Sequence, residues 1–268
     1  MSDQSSPPRP DDLGGALHLV KQEFTQRSGV EARIDGELRR YVNELMPVLG
    51  ERAWNWDVQV TLKRQVFSRF IHYYELYKKI TDVQGVICEF GVQWGATLTT
   101  LMNLRGMLEP YNYARKIYGF DTFEGFTTLD EKDKGFSAPG QYTVADNYYE
   151  TLDNILSLHE GLSPLPHIRK FQLIKGDASE TFPRWLDDNT HAIVAMAIFD
   201  MDVYKPTRDV LEKILPRLTK GSLLVFDELN CEHFPGETQA VQEVLGLSKL
   251  ALHCFPHQPY CSWAIWEG

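Results

Sequence analysis

Four carboxylates stand directly behind two apolar runs. The run Ala192 to Phe199 ends in Asp200 and Asp202, inside the segment FDMDVYKPT (Phe199 to Thr207). A second run, Leu223 to Phe226, opened by Gly221 and Ser222, ends in Asp227 and Glu228. Adjacent parallel strands present their carboxyl ends along one sheet edge, where ligands bind at the topological switch point. Asp200, Asp202, Asp227 and Glu228 would converge there as a hard-oxygen donor set suited to a divalent cation, magnesium above others. Each acid alone fits a helix cap or turn equally well. Two pairs at two strand ends favour convergence.

The elements that would carry these acids follow from periodicity. From Gly85 onward, strand-like runs at Val86 to Phe90, Ile117 to Phe120, Phe171 to Ile174, Ile193 to Phe199 and Leu223 to Phe226 alternate with helical segments. The helices are expected at Ala96 to Leu108, Tyr148 to His159, Ser179 to Asp187, Thr207 to Leu218 and about Thr238 to Gly246. Such alternation predicts a doubly wound, mostly parallel α/β sheet. Ser262 to Trp266 reads as a last strand whose direction the sequence leaves open. Ahead of the sheet, residues 1–14 are expected to be disordered, and residues 15–80 to form a helical extension. Its clearest helix, Leu62 to Ile80, carries Val66, Phe70, Tyr73, Tyr74 and Tyr77 as a stripe for core or subunit contact. Residues 124–146 exceed an ordinary connection and read as a lid.

Three further strand ends suggest ligand contacts. VICEFGVQWGAT places Glu89 at a strand end and Gly91 and Gly95 in the turn that follows, where small residues let the backbone approach a ligand. The next strand ends in Asp121, placed as an acid that accepts from ribose hydroxyls, and the third in Gly176, Asp177 and Ala178, placed to meet an adenine edge. Asp177 fits an N-cap equally well. Neither the dinucleotide GxGxxG, nor the P-loop GxxxxGK[ST], nor the hydrolase GxSxG occurs.

Composition narrows the class. The 268 residues are 43% apolar, with 27 basic and 37 acidic side chains for a net charge of −10, which argues against a nucleic-acid binder. No apolar run approaches a membrane span and no signal pattern opens the chain, so a cytoplasmic protein is expected. Cys88, Cys231, Cys254 and Cys261 lack zinc spacing and are expected as reduced thiols.

GVICEFGVQWGAT, YGFDTFEGF, GDASETFP, DMDVYKPT and GSLLVFDE together resemble the class I S-adenosylmethionine-dependent methyltransferases, and within them the macrocin O-methyltransferase type that acts on sugar hydroxyls. The resemblance spans about Gly85 to Gly246. It implies a Rossmann-like fold in which Glu89, Gly91 and Gly95 shape the methionine side of the cofactor site. Asp121 would hold the ribose, and Asp177 with Ala178 would meet the adenine. It further implies magnesium on Asp200, Asp227 and Glu228 and a general base at Asp202, with Asp200 and Asp202 interchangeable on spacing alone. The chain departs from the family where Asp227-Glu228-Leu229 replaces the usual two aspartates and a tyrosine. In the following segment, Glu232, His233 and Glu237 have two readings, reach into the acceptor pocket or the surface, and the surface is expected.

The expected activity is therefore O-methylation of a deoxysugar, nucleotide-linked or attached to a natural-product scaffold, by a homo-oligomer. A catechol or phenol acceptor, or a non-catalytic nucleoside-binding module, remains the alternative.

Overall fold

The computed structural model describes residues 18–20, 23–25, 28–49, 56–135 and 137–268, so the expectation for residues 1–14 lies outside the described residues. The chain divides into two compact units, Met1–Phe67 and Ser68–Gly268. In the first, β1 (His18–Val20) and β2 (Glu23–Thr25) pair antiparallel, where helix was expected from residue 15 on. Helices α1 (Gly29–Leu49) and α2 (Trp56–Thr61) follow. A capping box opens α1: the Glu31 backbone N–H donates to Ser28 Oγ, and the Ser28 N–H donates to Glu31 Oε2.

The second unit is built on a seven-stranded sheet. Helix α3 (Arg64–Lys79) enters it at Ser68, and Tyr73, Leu76 and Tyr77 are buried in its core, whereas Phe70 and Tyr74 are exposed. The remaining elements alternate: β3 (Val86–Phe90), α4 (Ala96–Leu108), β4 (Ile117–Asp121), α5 (Tyr148–Leu162), β5 (Phe171–Lys175), α6 (Ala178–Asp188), β6 (Val194–Phe199), α7 (Tyr204–Ile214), β7 (Leu218–Phe226) and α8 (Pro235–Val244). Two C-terminal strands, β8 (His253–Phe255) and β9 (Gln258–Ile265), close the unit. The strand order is β5-β4-β3-β6-β7-β9-β8, parallel through β7, with β9 antiparallel between β7 and β8. That settles the direction of the last strand.

Strands covered on both faces read as continuous apolar runs, and all six residues of β6 are buried. The α7 segment starts earlier than expected, at Tyr204, and gives way to a 3-10 turn at Leu215–Arg217 before β7 begins at Leu218. Pro206 is thus the third residue of the helix, within the first turn, where its missing N–H is harmless.

Register aligns one aromatic per strand at the carboxyl end. Phe90 pairs with Phe120 on one side and Phe199 on the other, and Phe199 pairs with Phe226. The four rings stack in sequence at centroid distances of 4.9, 5.5 and 5.2 Å, and none is exposed to solvent. Phe182 of α6 meets Phe90 edge-on at 5.0 Å. The next residue after each phenylalanine is Asp121, Gly91, Asp200 or Asp227, so a dry aromatic row underlies the sheet edge that carries the acids. Among the described residues, no helix is long and apolar enough to cross a membrane.

Candidate functional site

A cavity of about 380 Å³ opens at this edge, within the range of small-molecule sites. Its wall includes Glu89, Gly91, Asp121, Asp177, Ala178, Asp200, Asp202, Asp227 and Glu228, with Arg69, Thr97 and Lys205. The predicted site residues therefore converge, with one exception. Gly95, at φ +77°, packs behind the turn against Leu152 and is not among the lining residues.

The β3 turn is locked by the acid of the neighbouring strand. Asp121 Oδ2 accepts from the backbone N–H groups of Val92 (2.7 Å) and Gln93 (2.8 Å), and Oδ1 accepts from Phe123 N–H (2.5 Å). Three of its roughly four acceptor positions are used, leaving capacity toward the cavity. Burial raises the Asp121 carboxyl above its usual range, against the pull of these three donors. Gly91, at φ +92°, lies so close to the Asp200 carbonyl that a Cβ would strike it, so the close approach of β3 and β6 depends on glycine here. Asp177 caps α6, accepting from Ser179 N–H at 2.8 Å through Oδ1, while it also lines the cavity. The N-cap reading of Asp177 is thus observed, in a residue that also faces the cavity.

Glu89 is 1% exposed, and its Oε2 has no hydrogen-bond partner. Burial, then the negative charge of Asp200, pushes its carboxyl well above the usual range. An orphaned acceptor on the cavity wall suits a cationic group, such as the amino group of a methionine moiety. With the spare acceptors of Asp121 and Asp177, the wall fits S-adenosylmethionine.

The acid cluster holds a cation from an unforeseen source. Arg69, on α3, donates from Nη2 to Asp200 Oδ2 at 2.9 Å and from Nη1 to Asp227 Oδ1 at 3.1 Å. Weaker contacts reach Tyr73 Oη (3.4 Å) and Thr97 Oγ1 (3.5 Å). Cys261 of β9 donates its thiol to Asp227 Oδ1 at 2.8 Å, tying the antiparallel strand to the site. The chemistry of the donor set suits magnesium, but its arrangement does not: a guanidinium fills the gap between Asp200 and Asp227. Among the described residues, no group of three or more His, Cys, Asp or Glu is arranged to hold a metal ion.

One guanidinium does not neutralise the cluster. Burial and the neighbouring Asp227 raise Asp200 to about 8, and burial with Asp227 raises Glu228 to about 7. Asp202 is pushed well above the carboxylate range by burial, then by Asp200, Glu228 and Asp227. It is 8% exposed and held at φ +62°, a left-handed conformation that aspartate tolerates better than most residues.

Arg69 had a readable signal. It falls three residues after Val66 and four before Tyr73, so it is a lone cation on the apolar stripe of its helix. Glu237, expected at the surface, is fully buried: Oε1 accepts from Glu228 N–H at 3.0 Å, and Oε2 is orphaned. Its signal was the spacing to Ala240 and Val241, which places it on the core face of α8. Glu232 is exposed and His233 half-buried.

The segment after Asp121 roofs the cavity through Gly125, Phe126, Thr127, Thr128 and Tyr142, with Phe126 and Tyr142 in edge contact at 5.3 Å. Farther along, it is pinned to α7 and α8. Asp133 Oδ1 accepts from Tyr204 N–H at 2.7 Å, and Lys132 Nζ donates to Tyr204 Oη and Glu243 Oε2, each at 2.6 Å.

Residues 88–229 match a family model described as a methyltransferase domain. Among solved structures, the chain is 33% identical to CalS11, described as calicheamicin methyltransferase, with both chains covered in full and a TM-score of 0.83. A second structure of CalS11, described as TDP-rhamnose 3'-O-methyltransferase, an enzyme in calicheamicin biosynthesis, is 36% identical over 91% of this chain and 98% of that one, with a TM-score of 0.79. The O-methyltransferase NovP shares the fold at 15% identity, with a TM-score of 0.56 over 75% of this chain and 80% of that one. No curated protein matches.

Proposed function

The chain belongs to the class I S-adenosylmethionine-dependent methyltransferases, and from that premise we propose that it methylates a hydroxyl group of a deoxysugar carried on a nucleotide. One observation supports hydroxyl chemistry above all. Asp202 shares a cavity with the residues fitted to the cofactor, and its surroundings raise its basicity. The sugar class rests on the similarity to the rhamnose-modifying relative over nearly the whole chain.

When bound, S-adenosylmethionine supplies an electrophilic methyl group on a sulfonium centre. In this reading Glu89 accepts from the amino group at the methionine end, Asp121 accepts from the ribose, and Asp177 with Ala178 borders the adenine. Asp202 takes the proton of the sugar hydroxyl as the oxygen attacks, a role suited to a carboxylate whose affinity for protons is raised. Arg69 offsets negative charge at Asp200 and Asp227, which would otherwise oppose formation of an alkoxide-like oxygen. The roof formed by Phe126 and Tyr142 excludes water and presents aromatic faces to the sugar. Lys205 lines the cavity and is the basic side chain placed to meet a nucleotide phosphate, whereas Arg169 pairs with Asp153, away from the site. Residues 124–146 act as the lid, and the reaction is placed in the cytoplasm, in a homo-oligomer.

The test is calorimetric titration with S-adenosylhomocysteine, followed by a transfer assay on nucleotide-linked deoxysugars with EDTA or magnesium. Micromolar binding and sugar methylation are expected. Binding with transfer to catechols and none to sugars would overturn the acceptor class, and absence of binding would overturn the cofactor site.

A further inference from the structure

We propose that Arg69 selects the cofactor by its carboxylate: held by Asp200 and Asp227, it presents its remaining N–H groups to the amino-acid end of S-adenosylmethionine, seated at the open N-terminus of α4. The proposal rests on the reading of the cavity as the methyltransferase site and deepens it. Arg69 lies ahead of residues 88–229, the span that matches the methyltransferase domain, so the contact comes from outside that domain. A guanidinium carries more N–H groups than two acids use. Nη1 donates to Asp227 at 3.1 Å and Nη2 to Asp200 at 2.9 Å, which fixes the plane of the head group. Beyond Asp200, Nη2 reaches only Tyr73 Oη at 3.4 Å and Thr97 Oγ1 at 3.5 Å, the long limit of hydrogen bonding, so it keeps donor capacity on the Thr97 side. The side chain is 32% exposed and lines the cavity, within reach of a ligand.

Thr97 leads to the second half of the site. Ala96 and Thr97 line the cavity in the first turn of α4, and no side chain caps that helix. Its first N–H groups are therefore left to a ligand, and the positive end of the helix dipole favours an anion there. Glu89, buried and with Oε2 unpartnered, lies on the same wall and within electrostatic reach of Arg69. An acid open to a cation, beside an arginine and a helix end open to an anion, matches an α-amino acid head group, with ammonium on one side and carboxylate on the other. That carboxylate is the single anionic group of S-adenosylmethionine. In a cavity rich in aspartate and glutamate it needs such a partner, since the acids alone would repel it.

The test compares two ligands by calorimetric titration of the full chain: S-adenosylhomocysteine, and its decarboxylated analogue, in which hydrogen replaces the carboxylate. Wild type is expected to bind S-adenosylhomocysteine at least about tenfold more tightly, the scale of one charge-assisted hydrogen bond. Arg69→Gln should bring that preference to parity or reverse it, because the uncompensated acids favour the more cationic analogue. Arg69→Lys keeps the charge but loses the fork, and its preference should fall between the two. A merely structural arginine would weaken both ligands alike and leave their ratio unchanged. That result overturns the proposal, as does a wild type with no preference for the carboxylate, or Arg69→Lys with the wild-type ratio. If Arg69→Gln does not fold, Arg69→Lys carries the test on the same criterion. Failure of wild type to bind either ligand is a different outcome: it overturns the cofactor site itself, and with it the proposed function.

Discussion

The two ends of the central sheet bury charge in opposite ways. At the amino end, Glu160 is enclosed by Arg105 Nη2 at 2.8 Å and Lys170 Nζ at 2.7 Å, and both cations are satisfied further by backbone carbonyls. Nearby, Arg115 donates to Glu109 at 2.9 Å and to the carbonyls of Ile80 and Val83. Burial would raise Glu109, but Arg115, Tyr77 and Asn112 outweigh it and hold the carboxyl below its ordinary range. At the carboxyl end, Glu89, Asp200, Asp202, Asp227, Glu228 and Glu237 share one arginine, and orphaned oxygens remain on Glu89 and Glu237. Paired charges hold structure together, even with Arg105 Nε left unpartnered at that end. Charge left in excess over a phenylalanine row is the mark of a site awaiting cationic or proton-donating ligands.

Four measurements break or sharpen that contrast. The largest effect is expected at the amino end, where Glu160→Ala strands two buried cations and should lower unfolding free energy by about 3–5 kcal/mol in a denaturant titration. If the loss is below about 1 kcal/mol, the pairing is not structural. At the other end, Asp202→Asn should keep the fold and S-adenosylhomocysteine affinity while lowering turnover by roughly a hundredfold or more. Asparagine is the informative replacement because it also accepts the left-handed backbone at this position.

The third measurement is pH dependence. A carboxyl raised in the folded state favours folding when protonated, so the contribution of Asp200 and Glu228 is present near pH 4 and lost as pH rises through about 7 to 8. Glu109 acts in the opposite sense, its stabilisation being lost as pH falls below the ordinary carboxylate range. Wild type should therefore lose stability across neutral pH as its turnover rises, the base needing to be deprotonated. A stability curve flat from about pH 5 to 9 would contradict the excess charge. The smallest effect is expected from Glu237→Gln. Burial and Asp202 raise the Glu237 carboxyl well above its usual range, so the neutral amide should change stability by less than about 1 kcal/mol.

Most of the sheet was legible because β3, β4, β6 and the end of β7 are buried on both faces, and the last three lead into acid, a pattern that needs no partner to read. Val86 to Phe90 and Ala96 to Leu108 match β3 and α4 residue for residue. What escaped was long-range. Arg69 lies 131 residues from Asp200 and 158 from Asp227, and no local rule connects them, although its place on an apolar stripe was visible. The direction of β9 depends on two edge partners, and the burial of Glu237 on a roof that folds back over α8. The magnesium expectation was a reading of donor types, and the gap they leave is shaped by a residue from another element.

Asp133 caps the helix whose first residue stands two positions after Asp202, so the segment beyond the roof and the proposed base share one anchor. A roof that moved as the proposed lid would work against that anchor and the contacts of Lys132, and movement at one end would be felt at the other. The door, in that reading, is bolted to its own frame.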